Sequence, residues 1–236
     1  MPIKKKCDLD DLDCARFRPV NLLSPISKLM EKVWAEKILK HLIQNKLIDY
    51  NHQGGIPNRS STFTVANIYQ MLAKKRARAQ ETALVTMDQS AAYDICAHAL
   101  LKAKLLHLGI HQDTVSMIMN YYKDRKQQVY INGNFSDILL TGPVSVTQGS
   151  VMSGLMFACY TLDIHCQSHA QRHVSHSEYM ECNNDKVEVY IDDTYGIIEK
   201  HSLNIWDDIK RFIQRMEDYF NNNLLVVNVK KTLIML

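Results

Sequence analysis

Two apolar runs, Val187 to Ile191 and Thr194 to Ile198, are separated by nothing but Asp192-Asp193. Runs this short and this rich in β-formers read as strands, and so short a connection makes them a hairpin. A hairpin with apolar arms belongs in a sheet, which leaves its two carboxylates at the sheet's end. Asp is also a common turn residue, so the plainest reading of the pair is a turn. Two further pairs, Asp10-Asp11 in a charged loop and Asp207-Asp208 on the polar face of a helix, read as solvated.

The remaining elements fit around that hairpin. With 8 Gly and 5 Pro in 236 residues, and 46% of them hydrophobic, the chain is neither disordered nor fibrous and has the material for a sizeable core. Residues 1 to 18 read as a strand, a polar loop and a returning strand. Helices are expected over Ser27 to Ile43, where Leu29, Met30, Val33, Trp34, Ile38 and Leu42 recur at helical spacing, and over Ser61 to Ala77. Ala83 to Met87 reads as a buried strand. Further helices are expected from Ile95 to Leu108, Thr114 to Tyr122, Gly149 to Ile164 and Leu203 to Phe220. Asn132-Gly133 marks a hairpin between Val129–Ile131 and Phe135–Leu140. Leu224 to Val229 and Thr232 to Met235 read as strands. The order predicts an α+β fold, helices packed on one side of an antiparallel sheet.

Met87-Asp88 places a third carboxylate just past a buried apolar run. Like charges about 4 Å apart repel by roughly 4 kcal/mol at an effective dielectric near 20, so three carboxylates gathered at strand ends call for a cation. Mg²⁺, hard and oxygen-seeking, suits them.

These residues carry a family resemblance. Tyr190-Ile191-Asp192-Asp193 resembles the Tyr-x-Asp-Asp box of reverse transcriptases, and Met87-Asp88-Gln89-Ser90-Ala91-Ala92-Tyr93-Asp94 resembles their preceding aspartate motif. Thr147-Gln148-Gly149-Ser150-Val151-Met152-Ser153-Gly154-Leu155-Met156-Phe157 is similar to the Gln-Gly-Ser segment between them. Arg18-Pro19-Val20-Asn21-Leu22-Leu23-Ser24 resembles the fingers segment of retrotransposons lacking long terminal repeats, and Asn228-Val229-Lys230-Lys231-Thr232 the later Asn-x-x-Lys-Thr motif. The five motifs run in the family's order over nearly the whole chain.

The resemblance implies a palm-type polymerase fold with fingers at 1–80 and palm at 81–236, residues 95–145 packing toward the fingers. It implies that Asp88 and Asp192 hold two Mg²⁺ ions, or Mn²⁺, with Asp193 in a supporting role and a backbone carbonyl near Gln89 as a further ligand. Tyr93 matches the bulky residue that excludes a ribose 2′-hydroxyl; read from spacing alone, it is equally a core aromatic. Gln148 and Gly149 would meet the incoming nucleotide and template, although Gly and Ser also make an ordinary helix start. Lys6 and Arg18 correspond to basic fingers residues that clamp the triphosphate, a task suited to a planar guanidinium fork, and Lys231 to a lysine near the leaving pyrophosphate. The implied partners are an RNA template, a DNA primer and deoxynucleoside triphosphates.

Some residues depart from the family pattern. Pro57 stands where many relatives have Gly-Phe-Arg, so a nucleotide contact by that Arg is not expected; Thr147 and Gly154 each replace a usual Pro. The chain stops soon after Lys231-Thr232, and the expectation is fingers plus palm without a complete thumb, an endonuclease or a ribonuclease H domain. That favours an alternative function, a catalytically inactive nucleic-acid-binding remnant of such a polymerase. A palm polymerase making RNA is a third reading, opposed by Tyr93.

The formal charge of +3 excludes nothing by itself. The basic run Lys74 to Arg78 and the trio Lys123, Arg125 and Lys126 could track a template backbone or could simply be solvated. The 6 Cys, at 7, 14, 96, 159, 166 and 182, follow no signal peptide, and reduced thiols in an intracellular protein are expected, with no membrane span. Cys159, His165, Cys166, His169, His173, His176 and Cys182 raise a zinc hypothesis, but lack the paired spacing of structural zinc sites, so a polar helix end leading to the hairpin is preferred.

Overall fold

A computed structural model describes residues 2–4, 17–166 and 186–236. Its first strands, β1 (Pro2–Lys4) and β2 (Phe17–Pro19), pair antiparallel with Ile3 opposite Arg18. Lys6 and Asp10-Asp11 lie outside the described residues, as do Cys7, Cys14, His169, His173, His176 and Cys182.

Helix α1 (Pro25–Gln44) opens as its sequence predicts: the Ser24 hydroxyl accepts the Ser27 N–H at 3.1 Å, and Pro25 occupies the first turn, where no backbone donor is needed. In α2 (Ser61–Ala77) the Ser60 hydroxyl caps Phe63 N–H at 3.2 Å. Strand β3 (Thr82–Asp88) follows. The helix expected from Ile95 to Leu108 is instead two, the short α3 (Ala92–Ile95) and α4 (His98–His107). Cys96 and Ala97 leave the helix because their backbone is used elsewhere: Ser145 N–H donates to Cys96 O at 2.9 Å, and Ala97 bridges Val144.

Beyond α5 (Gln112–Tyr122) a ribbon leaves the body, with β4 (Lys126–Gln127) paired to β7 (Leu139–Leu140) and β5 (Tyr130–Ile131) paired to β6 (Asn134–Phe135). Asn132 and Gly133, at φ 49° and 88°, form the turn their sequence predicts, since both central positions of a primed turn need positive φ. Helix α6 (Ser153–Thr161) begins four residues later than expected. Gly149 lies before it in a turn, where the Ser153 hydroxyl donates to Thr147 O at 2.6 Å.

The central sheet contains β8 (Lys186–Tyr190), β9 (Asp193–Glu199) and, after α7 (Ile205–Asn222), β10 (Leu233–Met235), in the antiparallel order β10-β3-β9-β8. Residues 224–229 do not form the strand expected of them. They run beside the end of β3, bridging through Gln89 and Val227, and turn into a short 3-10 segment at Val229–Lys231.

Both faces of the sheet are covered, which corrects the one-sided packing expected from element order. Val85, Met87, Val189 and Ile198 join α6 and α7 in the main core, with Phe157, Phe212, Met216 and Phe220. On the other face Leu84 and Ile197 pack against Ile68, Met71 and Leu72 of α2. Among the described residues, this packing lies at the end of the face far from the Asp192 turn. Gly196 is required because α7 lies so close: a Cβ there would fall 2.1 Å from the Phe212 ring.

Asp208, expected in solvent, is buried, and of the basic runs read as solvated or tracking a template, Lys75 is buried and Arg125 half-buried. Asp208 accepts hydrogen bonds from the His201 and Ser202 N–H groups, both at 3.0 Å, and from the Ser202 hydroxyl at 2.8 Å. Lys75 is buried against Glu199, and the Arg125 guanidinium is half-buried over the Tyr121 ring, 4.7 Å from its centre. Cys96 and Cys159 are buried free thiols, both pushed up to about 12 by burial. Among the described residues no helix is long and apolar enough to cross a membrane.

Candidate active site

The turn of the β8–β9 hairpin is Ile191-Asp192, one residue earlier than the sequence suggests, because Tyr190 already pairs with Asp193. The shift makes Asp193 a strand residue instead of a turn residue. Its side chain therefore takes a defined face of the sheet, and the register of β3 with β9 sets it directly opposite Asp88. Ile191 sits at φ 57°, a left-handed conformation that costs a β-branched residue about 1–3 kcal/mol. The surroundings hold it there. Asn51 O accepts from Val189 N–H at 2.9 Å, Gln53 N–H donates to Val189 O at 2.7 Å, and Gly54 lies flat against the turn, where a Cβ would be 2.0 Å from Ile191 N.

Asp88 is brought to the same point from another part of the chain. Its carbonyl accepts Asn228 N–H at 2.8 Å, its carboxylate accepts Asn228 Nδ2 at 3.2 Å, and Lys231 Nζ lies 3.0 Å from the same oxygen. Gln89 N–H donates to Asp192 O at 3.2 Å, tying the end of β3 to the turn. Asn228 lies in a recognisable motif, but only the structure shows what it holds.

Asp88 and Asp193, as cross-strand neighbours about 5 Å apart, repel by about 3 kcal/mol at an effective dielectric near 20. Asp193 shows the consequence. Burial first, then Asp192 and Asp88, push its carboxyl above the usual range, while Lys231 and a hydrogen bond from Tyr195 oppose the rise. Among the described residues, Lys231 is the cation set against Asp88 and Asp193. Oxygen donors of this kind fit Mg²⁺ or Mn²⁺. Among the described residues no group of three His, Cys, Asp or Glu side chains is placed to hold a metal ion by itself.

Tyr93 packs as a core aromatic. Its ring stacks on Phe157 with centroids 5.3 Å apart, and burial, with Asp192 and Tyr190 nearby, pushes its phenol up to about 12. The aromatic body is core, and the polar tip faces the acidic turn. Gln148 is half-buried, its Nε2 3.5 Å from Asp94, and its carbonyl accepts Asn21 N–H at 3.0 Å. Gly149, at φ 94°, leaves no room for a side chain, since a Cβ would meet Asn21 O at 2.8 Å. The Gln-Gly-Ser segment is therefore docked on the strand end that follows Arg18. The backbone of Arg18 is in β2; Lys6 is outside the described residues.

A strand-end aspartate facing Asp193 across an antiparallel sheet, beside the Ile191-Asp192 turn and with helices behind, is the arrangement of a polymerase palm. Solved structures bear out the fold. A telomerase from Candida tropicalis, truncated from its C-terminal domain, superposes with a TM-score of 0.60 at 12% identity, over 89% of this chain and 40% of that one. One from Candida albicans, in complex with a TWJ fragment of telomeric RNA, gives 0.60 at 13%, over 89% and 35%. The reverse transcriptase (RNA-dependent DNA polymerase) family profile matches residues 3–236, and the chain belongs to that family. A probable RNA-directed DNA polymerase from transposon BS of Drosophila melanogaster is 27% identical over 154 residues, 64% of this chain. The match spans 16% of that relative's length.

Proposed function

We propose that this chain is the fingers and palm, residues 1–80 and 81–236, of an RNA-directed DNA polymerase that adds deoxynucleotides to a DNA primer on an RNA template. The observation that carries the proposal is the pairing of Asp88 with Asp193 beside the Asp192 turn, a concentration of negative charge with an oxygen-only donor set. Family membership and the transposon relative support the same reading.

Asp88 and Asp192 would hold two divalent cations, with Asp193 beside them. The ions would activate a primer 3′-hydroxyl and stabilise the pyrophosphate leaving group. The protein's own part is placement. The hairpin register fixes Asp193 against Asp88, Asn228 orients the Asp88 carboxylate, and Lys231 supplies a positive charge that can turn to a phosphate when substrate arrives. Tyr93, anchored on Phe157, would close the space where a ribose 2′-hydroxyl would lie. Gln148 and Gly149 would line the nucleotide's other side, with Lys6 and Arg18 reaching its triphosphate from the fingers.

Primer extension on an RNA template, comparing the wild-type chain with Asp192→Asn, tests the reading. Incorporation in Mg²⁺ that the variant loses by at least about a hundredfold is the expected result. Equal incorporation by both would remove Asp192 from the chemistry. Salt-dependent RNA binding without extension in Mg²⁺ or Mn²⁺ would establish the inactive remnant in its place.

A further inference from the structure

The first half of α1 buries a charge in place of its apolar residues. Leu29, Met30 and Val33 recur at helical spacing yet are exposed, while Glu31 among them is fully buried. A carboxylate out of water is costly unless its oxygens are hydrogen-bonded. Both oxygens are. Glu31 Oε1 accepts from the Tyr121 hydroxyl of α5 at 2.6 Å, and Oε2 accepts from Val151 N–H at 2.9 Å.

Val151 directly follows Gln148-Gly149-Ser150, in the turn that leads into α6. Within that turn, Ser150 N–H donates to Thr147 O at 3.1 Å and Met152 N–H to Ser150 Oγ at 3.2 Å. These bonds shape the turn; others fix where it sits. Asn21 N–H donates to Gln148 O on one side, and Glu31 takes Val151 N–H on the other. The second anchor is itself braced, because the Tyr121 ring packs edge-on against Trp34 of α1 with centroids 5.5 Å apart.

We propose that Glu31 is the positioning residue for the Gln148-Gly149 turn, its carboxylate fixing that turn to α1 and α5 through Val151 N–H. The proposal rests on the reading of Gln148 and Gly149 as nucleotide contacts. A carboxylate suits the task because its two oxygens accept from two elements at once. An apolar side chain of the same length would fill the space and hold neither. The role needs acceptors and not charge, so an amide, which accepts from Val151 and can donate to the Tyr121 oxygen, serves nearly as well.

The test follows primer extension and amide hydrogen exchange in the full chain for wild type, Glu31→Met, Glu31→Gln and Ser60→Ala. Glu31→Met keeps the side-chain length and removes both acceptors. Its deoxynucleotide KM rises about tenfold or more with kcat within about threefold, and Val151 N–H exchanges about tenfold or more faster. Glu31→Gln stays within about threefold of wild type in both KM and exchange. Ser60→Ala removes the α2 cap and lowers the melting midpoint but leaves KM unchanged, which separates a displaced turn from a weakened fold.

Unchanged Val151 exchange in Glu31→Met overturns the proposal, as does an equal rise in KM in Glu31→Gln or Ser60→Ala. If Glu31→Met does not fold, Glu31→Asp takes its place. That carboxylate is one methylene too short to reach both partners, and wild-type exchange there overturns the proposal equally. Faster exchange with an unchanged KM leaves Glu31 as the holder of the turn and removes Gln148 and Gly149 from nucleotide contact. A wild-type chain that extends no primer refutes the polymerase reading alone, and Val151 exchange still decides the role of Glu31.

Discussion

Replacing Gly54 by alanine tests whether the Asp192 turn is held by its neighbours. An added Cβ would stand 2.0 Å from Ile191 N, 2.6 Å from its Cγ1 and 2.8 Å from its Cα. Relaxed contacts lie near 3.5 Å, so about 1.5 Å of separation has to be created. A side-chain rotation cannot supply it, because the nearest obstacle is backbone. That backbone is tied to residues 51–53 by hydrogen bonds of 2.7 and 2.9 Å through Val189, two residues before the turn. Either the 51–55 segment leaves the edge of β8 or the turn moves and carries Asp192 with it. Overpacking of this kind costs about 1–3 kcal/mol or more. At about 2–4 °C per kcal/mol for a chain of this size, the midpoint should fall by roughly 2–12 °C. A displacement near 1 Å at the reacting groups costs about a hundredfold in rate. Thermal melting and primer extension measure the two effects. Gly142→Ala is the matched control, since a Cβ there meets nothing within 4 Å and no left-handed φ is required. If Gly54→Ala matches that control in both midpoint and rate, the close approach of Gly54 to the turn does not position Asp192.

Tyr93→Ala should admit ribonucleotides, raising their incorporation relative to deoxynucleotides by about tenfold or more in a competition assay; no gain would leave Tyr93 as a core aromatic only. His52 is fully buried, among the described residues neither ring nitrogen has a hydrogen-bond partner, and burial, then His165 and Arg59, hold it well below the ordinary value. The unfolded chain therefore takes up a proton that the native state refuses, and stability is lost as pH falls below about 6.5. His52→Phe should melt progressively higher than wild type as pH falls from about 7.5 to about 5.5, and a pH-independent difference would refute the assignment. Burial pushes Glu188 up to about 7, so the unfolded state ionises first and stability is lost as pH rises from the ordinary glutamate range to about 7. Glu188→Gln, which retains an acceptor for Asn67, should gain on wild type over that window, and a melting difference that shrinks with rising pH would contradict it.

What the sequence made legible was periodic and local. β3, α1, α2, the Asn132-Gly133 turn and the β8–β9 hairpin follow from apolar spacing, caps and turn residues, each a short-range property. The failures have long-range causes. A helix-forming run breaks at Cys96 because residues 143–145 claim its backbone, and residues 224–229 lose their strand because Asp88 and Ser90 draw them alongside β3. Helix α2 covers the second sheet face through Ile68, Met71 and Leu72, a partnership that element order does not encode. Gly54 shares this cause: it reads as a chain break until the fold sets it against Ile191.

The two Asp-Asp pairs inside the described structure show how one dipeptide acquires opposite roles. Asp208 accepts from two N–H groups, a hydroxyl and Arg211, and these donors, the Ser202 N–H foremost, hold its carboxyl far below the usual range despite burial. Its charge is fully matched within the fold, and what it contributes is the anchoring of residues 201 and 202 to α7. Asp193 is the reverse case, raised by burial and by two neighbouring carboxylates, with a phenol and a shared lysine as its relief. Folding alone would favour a neutral residue there, since the Asp88 carboxylate across the sheet adds repulsion of about 3 kcal/mol that Lys231 offsets only in part. That raised carboxyl is what the proposed cation and its phosphates would relieve. The distinction lies in the donors around each carboxylate, which is why the sequence alone could not separate the two pairs and the fold can.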